Sequence, residues 1–261
     1  MADPVAPGRG MNRWRARVSS GLGLGRSLAM YYARPWRQVG LRRFYAQWLG
    51  PGDLAFDIGA HVGNRTRALR AAGATVVAVE PQALFHRMLT VTLPRSGVTL
   101  RRIAVGPASG ELTLRVSRRH PTVSSGAPGW PEQVAKDAGF SHVRWDGAER
   151  VPMLTLDDLI AAHGPPAFVK IDVEGMEAAI LSGLSTAVPL IAFEYIPAAL
   201  DVADACLDRL ARLGRYEINA IDGEATRFAW PNWHTPERAK TALRALAETG
   251  RSGDLYARLA A

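Results

Sequence analysis

The chain has 261 residues, 48% hydrophobic and 21% charged, which excludes a disordered or fibrous protein and allows one sizeable α/β domain with its own core. No run approaches about 18 uninterrupted apolar residues, so no transmembrane helix is expected. The net charge of +8 is local: residues 1–50 hold nine arginines and one acid, Asp3, whereas residues 51–261 hold 23 basic and 23 acidic residues, so the body lacks the basic bias of a nucleic-acid binder.

Residues 1–20 are rich in Pro, Gly and Arg and read as disordered. Residues 20–30 resemble a weak signal segment, but Arg26 interrupts it and glycines dilute it; a cytoplasmic location is expected. Between 31 and 49, arginines and aromatics interleave, and Leu41, Phe44 and Trp48 recur at helical spacing. A cap helix with a solvated arginine face is the plainer reading. A basic amphipathic helix touching an anionic membrane surface or ligand is the other. Residues 1–50 are thus a basic arm with a cap helix, and 51–261 the main domain.

After the turn Pro51-Gly52-Asp53, strands and helices alternate. Strands are expected at 54–58, 75–79 and 98–105, with helices at 64–72, closed by Gly73, and at 82–93. A hairpin strand follows at 111–116. Residues 117–150 break the rhythm with Pro, Gly and Ser, and read as a long functional loop. Thr155 caps a helix over 155–162, with Asp157 and Asp158 in its first turn. Strands then fall at 167–173, 190–195 and 216–221, with helices at 177–184, 199–213 and 236–249. A short strand is expected at 228–230 and a last one at 254–258. Such alternation implies a doubly wound α/β fold with a mostly parallel sheet. The single cysteine, Cys206, excludes an intrachain disulfide and reads as a helix core residue.

The stretch Leu54-Ala-Phe-Asp57-Ile-Gly59-Ala60-His61-Val-Gly63-Asn64, followed by Glu80-Pro81 at the end of the next strand, reads as half of a nucleotide-binding fold. Glycines let the backbone approach a ligand, and a carboxylate at that strand tip suits ribose hydroxyls. A nicotinamide fingerprint needs G-x-G-x-x-G, and His61 and Asn64 stand where its second and third glycines belong. The ordered set of Asp57, Gly59, Gly63 and Glu80 instead resembles the first motif and second-strand acid of class I S-adenosylmethionine-dependent methyltransferases. That cofactor has no pyrophosphate to cradle, but it does carry a sulfonium and a ribose.

A second stretch, Phe168-Val-Lys170-Ile-Asp172-Val-Glu174-Gly175-Met-Glu177, stands with the lead-in Leu156-Asp-Asp-Leu159. Together with residues 56–66 it resembles the FkbM-type methyltransferase family, closely over 51–200 and loosely beyond. The resemblance implies a Rossmann-like, seven-stranded sheet whose last strand is antiparallel. It also implies O-methylation of a hydroxyl on a sugar, glycan or secondary metabolite. Candidate cofactor residues are Asp57, Gly59, Ala60, His61, Gly63, Asn64, Glu80, Pro81 and Ala104. His61 either lines the cofactor or hydrogen-bonds the turn.

For chemistry, Asp172 is the first candidate, as base or as an acceptor-orienting group. Lys170 shares its sheet face and could keep it ionised. Glu174 and Glu177 suit the following helix start. His142, beside Trp145 in the long loop, is a further candidate at the acceptor. Asp172, Glu174 and Glu194 could together hold Mg²⁺, the less favoured addition. The alternatives are a nicotinamide-dependent oxidoreductase and a non-catalytic module that binds through the arginine arm.

Overall fold

In the computed structural model, residues 35–117, 119, 124–130 and 143–260 are described. Helix α1 (Pro35–Tyr45) precedes β1 (Leu54–Ile58), α2 (Asn64–Ala72), β2 (Thr75–Val79), α3 (Ala83–Thr92) and β3 (Val98–Arg101). Then come β4 (Ala104–Val105), β5 (Gly110–Val116), β6 (Gly147–Leu154), α4 (Leu156–His163), β7 (Phe168–Ile171) and α5 (Glu177–Ser182). The chain ends with β8 (Leu190–Tyr195), a 3₁₀ turn (Pro197–Ala199), α6 (Leu200–Leu213), β9 (Tyr216–Asp222), α7 (Pro236–Ala247) and β10 (Gly253–Leu259).

The main sheet has seven strands in the order β3-β2-β1-β7-β8-β10-β9. Pairs along β3-β2-β1-β7-β8 are parallel, and β10 runs antiparallel to β8 and β9. The expected doubly wound, mostly parallel seven-stranded fold is therefore present, with its antiparallel last strand. The central strands are covered on both faces, so they carry runs of buried residues instead of alternating ones; Phe168 to Ile171 are all buried. On one face pack Leu156, Ile180, Cys206, Leu207 and Leu243 from α4 to α7. On the other, Leu41, Phe44 and Tyr45 of α1 and Leu69 of α2 meet Phe168 and Tyr256.

Three expectations need correction. The strand at 98–105 divides: β3 stays in the main sheet, and β4 joins a second sheet in the order β4-β6-β5. The loop expected over 117–150 ends early, because β6 begins at Gly147 and pairs antiparallel with the whole of β5. Charged Glu149 and Arg150 and the ladder-breaking Pro152 conceal that strand in the sequence. Finally, Phe228–Trp230 is no strand. Ala229 N–H bonds once to the Ala220 carbonyl at 2.7 Å, while the Phe228 ring packs edge-on against Phe44, Trp48, Trp233 and Tyr256. The cap helix expected over 31–49 is helical from Pro35 to Tyr45. No helix among the described residues is long and apolar enough to cross a membrane.

Candidate active site

In an open parallel sheet, ligands bind beyond the carboxyl ends of the strands where the strand order reverses. Here that point lies between β1 and β7. Gly59, the first residue after β1, has φ +89°, and a Cβ there would lie 1.9 Å from the Asp172 carbonyl oxygen. Only glycine lets the two strand ends close on each other. The N–H groups of Gly59 and Ala60 both donate to the Val79 carbonyl at 2.9 Å, tying the loop to β2. His61 and Glu174, at opposite sides of the crevice, are the non-glycine residues with positive φ among those described, 49° and 55°.

Above this junction is a cavity with three kinds of wall. Pro81, Phe85, Ala104, Val105, Leu112 and Leu114 make an apolar end; Gly59, His61 and Glu80 form the middle; Asp172, Glu174 and Glu194 stand at the far end with Arg65 and Asp254. Of the cofactor residues expected from sequence, Gly59, His61, Glu80, Pro81 and Ala104 line this cavity. Asp57, Ala60 and Asn64 instead line a smaller adjoining hollow that shares Gly59, His61, Arg65 and Asp172 with it. Gly63 faces away: a Cβ there would meet Arg67 and Leu89 at 2.8 Å. His142 lies outside the described residues.

Glu80 accepts the His61 N–H and the Gln82 N–H, each at 2.8 Å. Burial pushes its carboxyl up to about 8 despite those bonds. Asp57 accepts from the Thr66 hydroxyl, and burial likewise raises it. The Asp57 side chain thus fixes the start of α2. The His61 ring packs edge-on against Phe85 at 4.2 Å. Burial lowers its pKa to about 4 against the pull of Asp172, so the imidazole is neutral at pH 7. His61 both braces the turn, through its N–H, and lines the cavity.

At the far end, Lys170 is fully buried, with Nζ 2.9 Å from Asp254 and 3.3 Å from Asp172. Arg65 reaches Asp254 at 2.9 Å and Asp172 at 3.8 Å, and donates to the Tyr45 hydroxyl of α1 at 3.3 Å. Burial opposes the charge on Lys170, but Asp172 and Asp254 outweigh it and raise its pKa. Burial would also raise Asp254; Arg65 and Lys170 hold it below the ordinary range. Lys170 therefore partners Asp172 as expected, while Arg65 and Asp254 had no sequence signal: both needed α2 and β10 to be brought together.

The Glu177 carboxylate accepts the Val173 N–H at 3.2 Å and the Gly175 N–H at 3.1 Å, bracing the loop before α5; burial pushes it to about 7. Glu174 and Glu194 are both raised, first by burial and then by neighbouring acids, Asp172 foremost. Part of the long loop covers this loop. Ser125 donates its hydroxyl to the Glu174 carbonyl at 2.6 Å, and the Ser124 hydroxyl accepts from Gln82 at 2.7 Å. The Trp130 ring fills the space a Cβ on Gly175 would need. Among the described residues, no group of three or more His, Cys, Asp or Glu is arranged to hold a metal ion. Asp172, Glu174 and Glu194 share a cavity, and Asp172 also meets Lys170 and Arg65.

The strand order, the glycine junction and an acid at the tip of β2 define a Rossmann-like domain of the class I methyltransferase type. The chain belongs to the FkbM methyltransferase family: the model of the methyltransferase FkbM domain matches residues 57–201. Among solved structures it is similar to methyltransferase FkbM from Methylobacillus flagellatus KT, at 18% identity and a TM-score of 0.44, over 80% of this chain and 44% of that one. The chain thus spans less than half the length of that protein. It is also similar to precorrin-6y C5,15-methyltransferase from Geobacter metallireducens GS-15, at 16% identity and TM-score 0.42, over 86% of each chain. Cofactor-bound Rv0187 from MTB is similar at 15% identity and TM-score 0.43, over 91% of this chain and 89% of that one. Among curated proteins, none matches the chain.

Proposed function

We propose that this protein transfers a methyl group from S-adenosylmethionine to a hydroxyl of a sugar, glycan or secondary metabolite. The observation that carries this reading is the sequence of walls around Glu80. The apolar end from Phe85 to Val105 suits an adenine ring. Glu80 lines the cavity with each oxygen accepting one backbone N–H, and the remaining lone pairs suit two ribose hydroxyls. Beyond Gly59, the Asp172 carboxylate suits a cationic sulfonium.

When bound, the cofactor would supply the methyl carbon and leave as a neutral thioether. The chain's own task is to align an acceptor oxygen and take its proton, and positioning supplies much of the rate in such reactions. Asp172 reaches the cavity with its side chain about a third exposed. Lys170 and Arg65 fix it in place, so it orients the acceptor hydroxyl and receives its proton. The neutral His61 imidazole forms part of the wall and carries no proton in this scheme. The test is an acceptor screen with labelled S-adenosylmethionine over hydroxyl-bearing glycan and natural-product intermediates. Label transferred to an oxygen supports the reading, and label found only on nitrogen or carbon contradicts it.

A further inference from the structure

Most carboxylates around the cavity are matched by the chain itself. Glu80 has two backbone donors, and Asp172 and Asp254 share Lys170 and Arg65. Glu174 and Glu194 differ. Each keeps one oxygen, Oε2, hidden from solvent with no hydrogen-bond donor among the described residues. They stand at the ends of the neighbouring strands β7 and β8, close enough that Glu194 feels the charge of Glu174. Glu174 is held there in a left-handed conformation that non-glycine residues avoid, with Ser125 bonded to its carbonyl and Trp130 seated over Gly175.

Burial and the neighbouring acids disfavour a negative charge on either side chain, so a ligand that brings both donors and a positive charge is favoured beside the two hidden oxygens. A hydroxyl brings one proton. A protonated amine brings up to three N–H groups and a full charge, enough to satisfy two carboxylates at once. The sulfonium of the cofactor brings charge but no N–H group, and the cofactor's own ammonium is the competing occupant.

Resting on the methyltransferase reading above, we infer that the acceptor is an amino-bearing polyol whose ammonium is held between Glu174 and Glu194 beside the hydroxyl that takes the methyl. Neutral and anionic acceptors leave the two glutamates unmatched and are disfavoured.

The test uses the full chain saturated with S-adenosylhomocysteine, titrated in ligand-observed NMR with glucosamine, N-acetylglucosamine and glucose. Glucosamine is expected to bind at least about tenfold more tightly than the other two, the least that a charge-assisted bond contributes. The double variant Glu174→Gln/Glu194→Gln is expected to erase that preference while its affinity for S-adenosylhomocysteine stays unchanged. If the double variant does not fold, each single variant is expected to reduce the preference. Equal binding of the three sugars, binding of none, or a preference that survives the substitutions overturns the inference. So does a loss of S-adenosylhomocysteine affinity in the variants, which would assign the two glutamates to the cofactor's own ammonium. Failure of the unaltered protein to bind S-adenosylhomocysteine is a separate result and contradicts the methyltransferase reading itself.

Discussion

The ammonium of Lys170 lies 3.3 Å from the carboxylate of Asp172, so a fully buried lysine holds the acid that reaches the cavity two residues later. The same ammonium meets Asp254 at 2.9 Å, which ties the β7 end to β10. Removing one partner of a buried ionic network strands the others without compensation. Lys170→Met should therefore destabilise the fold by about 3–5 kcal/mol, measured by urea unfolding. A loss below about 1 kcal/mol would show that the network is not held as the distances imply.

Gly59 and Asp172 meet where no side chain fits. Gly59→Ala must adopt an unfavourable backbone, costing about 1–3 kcal/mol, and must also move the Asp172 carbonyl, 1.9 Å from the new Cβ. Both stability and S-adenosylhomocysteine binding should fall. Gly110→Ala is the control: a Cβ there meets nothing within 4 Å, and the change should stay within about 0.5 kcal/mol. Equal effects of the two substitutions would contradict the close approach of β1 and β7.

The buried acids set a pH dependence whose sign can be worked out. Glu80 at about 8 and Glu177 at about 7 bind protons more tightly when folded than at their ordinary 4.5. Their contribution is therefore lost as pH rises from 4.5 through those values. His61, lowered from 6.5 to about 4, acts in the opposite direction only below pH 6.5. From pH 6.5 to 8 the glutamates prevail, and the free protein should lose stability by up to about 1.4 kcal/mol per group per pH unit. Urea unfolding at the two ends of that window checks it; stability that holds or rises contradicts the burial of Glu80.

Glu80→Gln keeps the shape of the side chain but turns an amide N–H₂ toward a backbone donor and loses an oxygen that would accept from the ribose. Removing one partner of a buried hydrogen bond costs about 1–3 kcal/mol, so S-adenosylhomocysteine affinity should fall about fivefold or more by calorimetry. Unchanged affinity would remove Glu80 from the ribose.

The sequence reveals the frame of this molecule because buried parallel strands write themselves as apolar runs between glycine turns. Leu54–Ile58, Thr75–Val79 and Leu190–Tyr195 fall where the pattern places them. β6 was illegible because it carries Glu149, Arg150 and Pro152 and buries mainly Val151. In the site, Gly59 and Glu80 were legible because strand-end glycines and acids have local signatures. Gly63 has the same signature and a different job: its missing Cβ makes room for Arg67 and Leu89 behind the loop.

Arg65 and Asp254 could not be read from local pattern. An arginine on a helix and an aspartate in a strand usually face water, and only the tertiary fold, which brings the first turn of α2 to the start of β10, buries them together at 2.9 Å. Asp57 was legible as a residue of the loop but not in its role. It holds Thr66 and lines only the smaller hollow.

The most direct measurement is calorimetric titration of the purified chain with S-adenosylhomocysteine and, separately, with NAD. Saturable one-to-one binding of S-adenosylhomocysteine, with no heat from NAD, is the predicted result. Binding of NAD without binding of S-adenosylhomocysteine would contradict the account.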